Sequence, residues 1–134
     1  MTTLRIKDAA VLLGVSDDTV RRWIDAGALT AEKDEAGRKV IAGEQLAEFA
    51  RDQAAAPPDP LGIASSARNR MVGLVTDVTV DGVMAEVQLQ CGPFTIVSLM
   101  SRQSAEQLGL APGKLAVAVV KATTVIVETS GGTS

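Results

Sequence analysis

Three prolines fall within Pro57-Pro58-Asp59-Pro60, directly after Ala54-Ala55-Ala56, and they divide the chain. Each proline lacks an N–H and fixes φ, so no helix continues through this stretch. On either side the apolar residues follow different periods. Before the prolines the spacing is helical; after them it is close to two. Residues 54–63 therefore read as a linker, semi-rigid in its proline part, between a domain at 1–53 and a second at 64–130.

In the first segment Ala9, Leu12 and Leu13 form a helical stripe closed by Gly14. Ser16 is a suitable N-cap, and Asp17 and Asp18 suit the positive end of a helix dipole. Val20, Trp23 and Ile24 follow at i, i+3, i+4, with Gly27 as the stop. Leu29 to Ile41 places Asp34-Glu35-Ala36-Gly37 between two strand-like runs, a hairpin signal. Leu46, Phe49 and Ala50 mark a third helix. Helix, tight turn, helix, hairpin, helix is a winged helix-turn-helix layout.

The second segment alternates. Val72/Leu74 against Val75, Val83/Ala85/Val87/Leu89, Phe94/Ile96 and Val97, Val117/Val119 and Val125/Val127 are five short strand patterns. Asp81-Gly82 and Cys91-Gly92-Pro93 punctuate them as turns. A short helix over about Ser101–Leu108 ends at Gly109. The expected fold class is α+β: a winged helix-turn-helix joined by a Pro-rich linker to a small OB-like five-stranded β-barrel, closed or nearly so, with one short helix.

Charge and rare residues narrow the chemistry. Residues 1–53 carry eight Lys/Arg against ten Asp/Glu, and residues 54–134 five against six. Neither half has the basic balance of a nucleic-acid binder, so any DNA contact must come from a local cluster. With aromatics at 2% and no Tyr, the β-half is a poor base-stacking platform. The absence of His and the single Cys91 exclude a His/Cys metal site and a disulfide framework. Cys91 reads as a turn residue or small core filler. No nucleophile–base pair or carboxylate cluster at site spacing is visible, so the chain is expected not to be an enzyme. No leader and no apolar run of about 18 residues is present, which predicts a cytoplasmic protein with no membrane partner.

The strand-entry segments carry the chemistry. Ser66-Ala67-Arg68-Asn69 and Lys121-Ala122-Thr123 each precede a Val-rich pattern. Together they offer a guanidinium, an ammonium, hydroxyls and backbone N–H groups. Many donors around little positive charge suit a small oxyanion. Ser101 and Ser104, at the start of the short helix, add a third donor cluster aided by its dipole. Taken singly, these are ordinary strand-flanking hydroxyls and solvated charges.

The order and spacing of these blocks resemble the Mop-type (molbindin, TOBE-class) molybdate/tungstate-binding domain over residues 64–129. The matching residues are Ser66-Ala67-Arg68-Asn69, Gly73, Val75, Ser101-Arg102-Gln103-Ser104, Leu108 to Gly113, and Lys121-Ala122-Thr123-Thr124-Val125. The resemblance implies molybdate or tungstate as ligand, held at subunit interfaces. By the same resemblance Ser66, Ala67, Arg68, Lys121, Ala122 and Thr123 act from one subunit, and Ser101 and Ser104 from its neighbour. Asn69 is expected to tie down the strand-entry turn. Where the family commonly has Thr, this chain has Ser101, which keeps the hydroxyl.

Residues 4–53 resemble the MerR/excisionase-type helix-turn-helix through Ala9 to Ser16, Thr19-Val20-Arg21-Arg22-Trp23, Gly27-Ala28-Leu29 and Gly37-Arg38-Lys39-Val40. In that family the second helix enters the major groove and the wing meets the backbone or minor groove. The resemblance implies contacts to double-stranded operator DNA from Ser16, Thr19, Arg21 and Arg22, and from Arg38 and Lys39 on the wing. Trp23 shares the inward stripe and is expected in the core. The alternative for the arginines is surface pairing, Asp18 with Arg22 and Arg21 with Asp25. The whole implies a molybdate- or tungstate-responsive transcriptional regulator acting as a homo-oligomer, a dimer at least and compatible with a hexamer. The alternative is an intracellular storage or buffering protein whose N-terminal domain is a docking module.

Overall fold

In the computed structural model, which describes residues 2–130, the chain forms two units, Met1–Ala55 and Ala56–Ser134. The first carries β1 (Thr3–Arg5), α1 (Ile6–Leu13), α2 (Asp17–Asp25), β2 (Glu32–Lys33), β3 (Lys39–Ala42) and α3 (Gly43–Gln53). Gly14 stops α1 in the left-handed conformation at φ 67°. Val15 N–H then reaches back to Ala10 O at 3.0 Å, closing the last turn. Ser16 caps α2, its Oγ accepting from Thr19 N–H at 3.2 Å. Three residues thus separate the two helices.

Ile6, Ala9, Ala10, Val20, Leu29, Ile41 and Leu46 form the core of this unit. Trp23 is half-buried with its ring 4.8 Å from that of Phe49, an inward position as the stripe predicts. Leu12 departs from expectation: it is 68% exposed. The buried stripe runs Ile6, Ala9, Ala10, Leu13, and at about 100° per residue Leu12 falls to its side. The hairpin forms as expected, β2 pairing with β3 through Lys33↔Lys39. What the pattern did not suggest is β1, which adds to β3 antiparallel through Leu4↔Ile41, giving the order β1-β3-β2. Three residues are too few to show a period.

The cap sets a first prediction. Ser16→Ala leaves Thr19 N–H without its acceptor at an N-terminus that begins with two carboxylates, and should lower stability by about 1 kcal/mol. Chemical denaturation reads this, and an unchanged midpoint would refute the cap.

The second unit carries β4 (Asn69–Val80), β5 (Met84–Cys91), β6 (Phe94–Ser101), α4 (Arg102–Gln107) and β7 (Leu115–Val120). They form an antiparallel sheet in the order β6-β5-β4-β7. Its core is Val75, Val87, Leu89 and Cys91, flanked by Met71, Val78, Ile96 and Met100. A bulge between Val75 and Asp77 resets the alternation of β4. Met71 and Val75 face the core before it, and Val78 after it, with Thr76 Oγ1 donating to Gln88 O at 3.3 Å. Asp81 fastens the next turn, its Oδ1 accepting from Met84 and Val83 N–H at 2.7 and 2.8 Å. Those two bonds hold its carboxyl below the usual range.

Two expectations for this half are corrected. Val125 and Val127 pair with nothing among the described residues, so the sheet has four strands in one chain, not five. After Val120 the chain turns through a 3-10 segment, Ala122–Thr124, and leaves the line of β7. Lys121-Ala122-Thr123 therefore opens a turn where a strand was expected. The sheet also does not close on itself, because β6 and β7 are both edges. Cys91 ends β5 in the core, and burial pushes its thiol pKa up, which fits a packing role.

Candidate functional site

Asn69 lies directly across from Val120 in the β4–β7 ladder. Its Nδ2 also donates to Val120 O at 3.1 Å, tying the strand entry to the strand exit as expected. The residues just before Asn69 and just after Val120 are the two donor blocks. Ser66-Ala67-Arg68 and Lys121-Ala122-Thr123 thus leave the same end of the sheet from adjacent strands, although more than fifty residues separate them in the chain.

Most of their donors have no partner among the described residues. Arg68 and Lys121 are exposed, and neither is among the ion pairs of the described residues. Ser66 and Thr123 are exposed hydroxyls on the same flanks. Ala67 differs, since its N–H is already held by Ser65 Oγ at 3.1 Å. The 3-10 segment closes on Lys121 O, which accepts from Thr124 N–H at 2.9 Å and from Thr124 Oγ1 at 2.8 Å. Arg70, next on β4, is engaged with Asp59 at 2.6 Å. That hydrogen bond, then the one from Leu61 N–H, lowers the Asp59 pKa.

Ser101 and Ser104 lie elsewhere. Ser101 pairs with Met84, while Ala85 pairs with Val80. Both serines therefore sit beside the far end of β4, about 36 Å along the strand from Asn69 at ~3.3 Å per residue. One chain does not bring the third cluster to the first two. Ser101 Oγ caps α4, accepting from Ser104 N–H at 3.0 Å and donating to Ser104 Oγ at 2.8 Å. A cleft of about 410 Å3 opens beside it, lined also by Arg102 and Glu106. Arg102 was no candidate from sequence; its Nη1 donates to Asp81 O at 3.2 Å and its Nε meets Glu106 at 3.0 Å. Among the described residues no group of three His, Cys, Asp or Glu side chains is placed to hold a metal ion.

In the first unit the candidate DNA residues divide into two groups. Thr19 Oγ1 lies 3.0 Å from Ser16 Oγ and accepts from Arg22 Nη2 at 3.1 Å, so the three form a chain along α2. Arg21, Arg38 and Lys39 line a separate cleft, together with Arg5 and Lys7, which the sequence pattern had not singled out. The expected pairs Asp18–Arg22 and Arg21–Asp25 are absent among the described residues. Arg21 reaches back one turn to Asp18 at 3.2 Å instead, and Arg22 turns to Thr19. Asp34 organises the hairpin tip: its Oδ1 accepts from Ala36 and Arg38 N–H, both at 2.9 Å, and its Oδ2 from Arg38 Nε at 3.0 Å. The backbone bond from Arg38 contributes most to lowering the Asp34 pKa.

Comparison with known proteins agrees with this two-part geometry. Residues 3–54 match the helix-turn-helix domain family model, and residues 65–127 match that of the TOBE domain. A curated relative is the molybdenum transport protein ModE of Azotobacter vinelandii, 37% identical over 70 residues. The match covers 52% of this chain and 26% of that protein, so the chain spans about a quarter of the relative's length. Similar solved structures include a molybdate binding protein from Sporomusa ovata, 28% identical with TM-score 0.48, over 50% of this chain and 100% of that one. Another is MopII from Clostridium pasteurianum, 39% identical with TM-score 0.46, over 49% of this chain and 100% of that one. No helix among the described residues is long and apolar enough to cross a membrane.

Proposed function

We propose that this chain is a molybdate- or tungstate-binding transcriptional regulator of the cytoplasm, with the oxyanion bound at interfaces between copies of the β-unit and DNA bound by the N-terminal unit. The Asn69–Val120 register carries the reading, because it sets two clusters of unspent donors side by side at one end of the sheet. Ser66, Ala67, Arg68, Lys121, Ala122 and Thr123 form one part of the site. Ala67 contributes once its N–H exchanges Ser65 Oγ for the anion. Ser101 and Ser104 of a neighbouring copy form the rest, which accounts for their position at the far end of β4. Residues 54–63 link the two functions, and the MerR/excisionase type of helix-turn-helix supplies the reading head, with Arg38 and Lys39 acting from its wing at 37–40.

Assembly of the β-units is supported by their surface. Phe94, Val97 and Leu99 on the β6 edge and Val125, Ile126 and Val127 at the end of the chain are 46–86% exposed. Apolar surface of this extent marks an association site. The unpaired segment 125–127 and the two open sheet edges have complementary needs, one lacking a ladder and the others a strand. Five-stranded closure is then a property of the oligomer, a dimer at least and compatible with a hexamer.

The mechanism follows from mass action. An anion shared between subunits stabilises the assembly that holds it, and that assembly sets the spacing of the reading heads on their half-sites. The helix-turn-helix match favours regulation over storage, because storage alone has no use for a DNA-reading unit. The test is calorimetric titration of the assembled protein with molybdate, tungstate and sulfate, beside a gel shift on the DNA upstream of its own coding sequence. Heat with the first two anions and an anion-dependent shift are expected. No heat with either refutes the sensor; heat without any shifted DNA moves the protein to the storage reading.

A further inference from the structure

The first unit is acidic overall, with eight Lys/Arg against ten Asp/Glu in residues 1–53, yet its charges are not evenly spread. A cleft of about 470 Å3 is lined by Arg5, Lys7, Arg21, Arg38 and Lys39, with Asp17 as its one acidic side chain. Five of the eight cations of this segment converge on one concavity, against one of its ten carboxylates.

Four elements and the hairpin tip build it. Arg5 ends β1, its Cα opposite Val40, so it lies diagonal to Lys39 on β3. Lys7 stands in the first turn of α1, and Arg21 comes from α2. Among the described residues Arg5, Lys7 and Lys39 have no carboxylate within 4.0 Å; Arg21 and Arg38 each keep one, Asp18 and Asp34. Cations in excess of their counter-charges repel one another, and a bound polyanion relieves that repulsion.

We infer that this cleft is a seat for the phosphate backbone of duplex DNA, and that Arg5 and Lys7 are backbone-contacting residues beyond those of α2 and the wing. The inference rests on the reading of this unit as a DNA binder. The occupant is a backbone because the cations come from separate elements, stand exposed on long side chains, and border the helix and hairpin tip that meet the duplex. Concentration of charge in one cleft explains how a net-acidic unit binds a polyanion: Asp17 is the one carboxylate lining it, and Asp18 and Asp34 each pair with only one of its five cations. Phosphate contacts of this kind set register and orientation and carry no base specificity.

The experiment uses the full chain and a mixed-sequence duplex of about 20 base pairs, with affinity measured across a series of KCl concentrations. Each phosphate contact contributes about 0.9 to the slope of log K against log salt. Arg5→Ala/Lys7→Ala should reduce that slope by about 2 per bound chain, while Arg51→Ala, an exposed cation on α3 outside the cleft, leaves it unchanged. Asp17→Asn has the opposite sign and should tighten binding about threefold or more at low salt. If the wild-type chain binds no duplex, both this inference and the DNA-binding reading fall. If it binds with a salt slope that the double variant keeps, this inference alone falls. Should the double variant not fold, Asp17→Asn decides: tighter binding supports the cleft, unchanged binding overturns it.

Discussion

Gly73→Val is expected to destabilise the β-unit by about 3 kcal/mol or more, enough to lower its melting midpoint by more than about 10 °C. A Cβ on Gly73 would stand 2.5 Å from Gln90 O and 2.6 Å from Cys91 Sγ. The nearer atom is backbone in the ladder of β5, so it cannot move without breaking pairing between β4 and β5. Both strands supply the core through Val75, Val87, Leu89 and Cys91. Gly73→Ala should cost less, about 1–3 kcal/mol. Adding Cys91→Ala to it should recover only part of the loss, because the thiol is the softer of the two obstacles. Thermal melting by circular dichroism at fixed protein concentration reads all three variants. A Gly73→Val protein that melts with the wild type would show that the strands do not approach so closely.

The second large effect concerns the proposed oxyanion site. Arg68→Ala and Lys121→Ala should each weaken molybdate binding by about tenfold or more, the loss of a charge-assisted hydrogen bond at about 1.5–3 kcal/mol. Neither side chain makes an ion pair within the described chain, and both are exposed. Their removal should therefore leave folding of the single unit intact. Lys114→Ala is the matched control, a cation at the opposite end of β7 that should leave affinity unchanged. Ser101→Ala should also weaken binding if a neighbouring copy completes the site. Calorimetry on all four variants decides the matter: wild-type affinity in both Arg68→Ala and Lys121→Ala would move the site elsewhere.

Much of the local structure could be read before any coordinates. Ser16 announces the start of α2 because a hydroxyl there has one good use, accepting from Thr19 N–H. Gly14 and Gly27 announce helix ends, and both adopt positive φ. The alternation Val83, Ala85, Val87, Leu89 predicts the inward face of β5; the last three are buried, while Val83 lies before the strand in the Asp81 turn and is exposed. The misreadings have equally local causes. Leu12 belongs to a helix whose stripe is set by Ile6, Ala9 and Ala10, and a leucine one position off the stripe looks the same in a list of apolar residues. The bulge at Thr76 changes the parity of β4 without any signal residue, since no Gly or Asn is required there.

The candidate sites divide along the same line. Residue types were legible: Ser66–Arg68 and Lys121–Thr123 offer donors without excess charge, a set that suits an oxyanion only where the fold brings the blocks together. Their adjacency was not, because it depends on the Asn69↔Val120 register, a pairing across some fifty residues that alternation alone leaves free to slide by two. Likewise Arg5 and Lys7 carry no local mark. They join the wing cations only because β1 adds to β3, and a three-residue strand is specified by its neighbour more than by itself. By itself the sequence determined where helices, turns and strands begin, since caps, glycines and periods act over a few residues. Which donors meet, and that one chain keeps Ser101 apart from Arg68, was decided only by tertiary structure, because strand order and register are set by packing between residues distant in the chain.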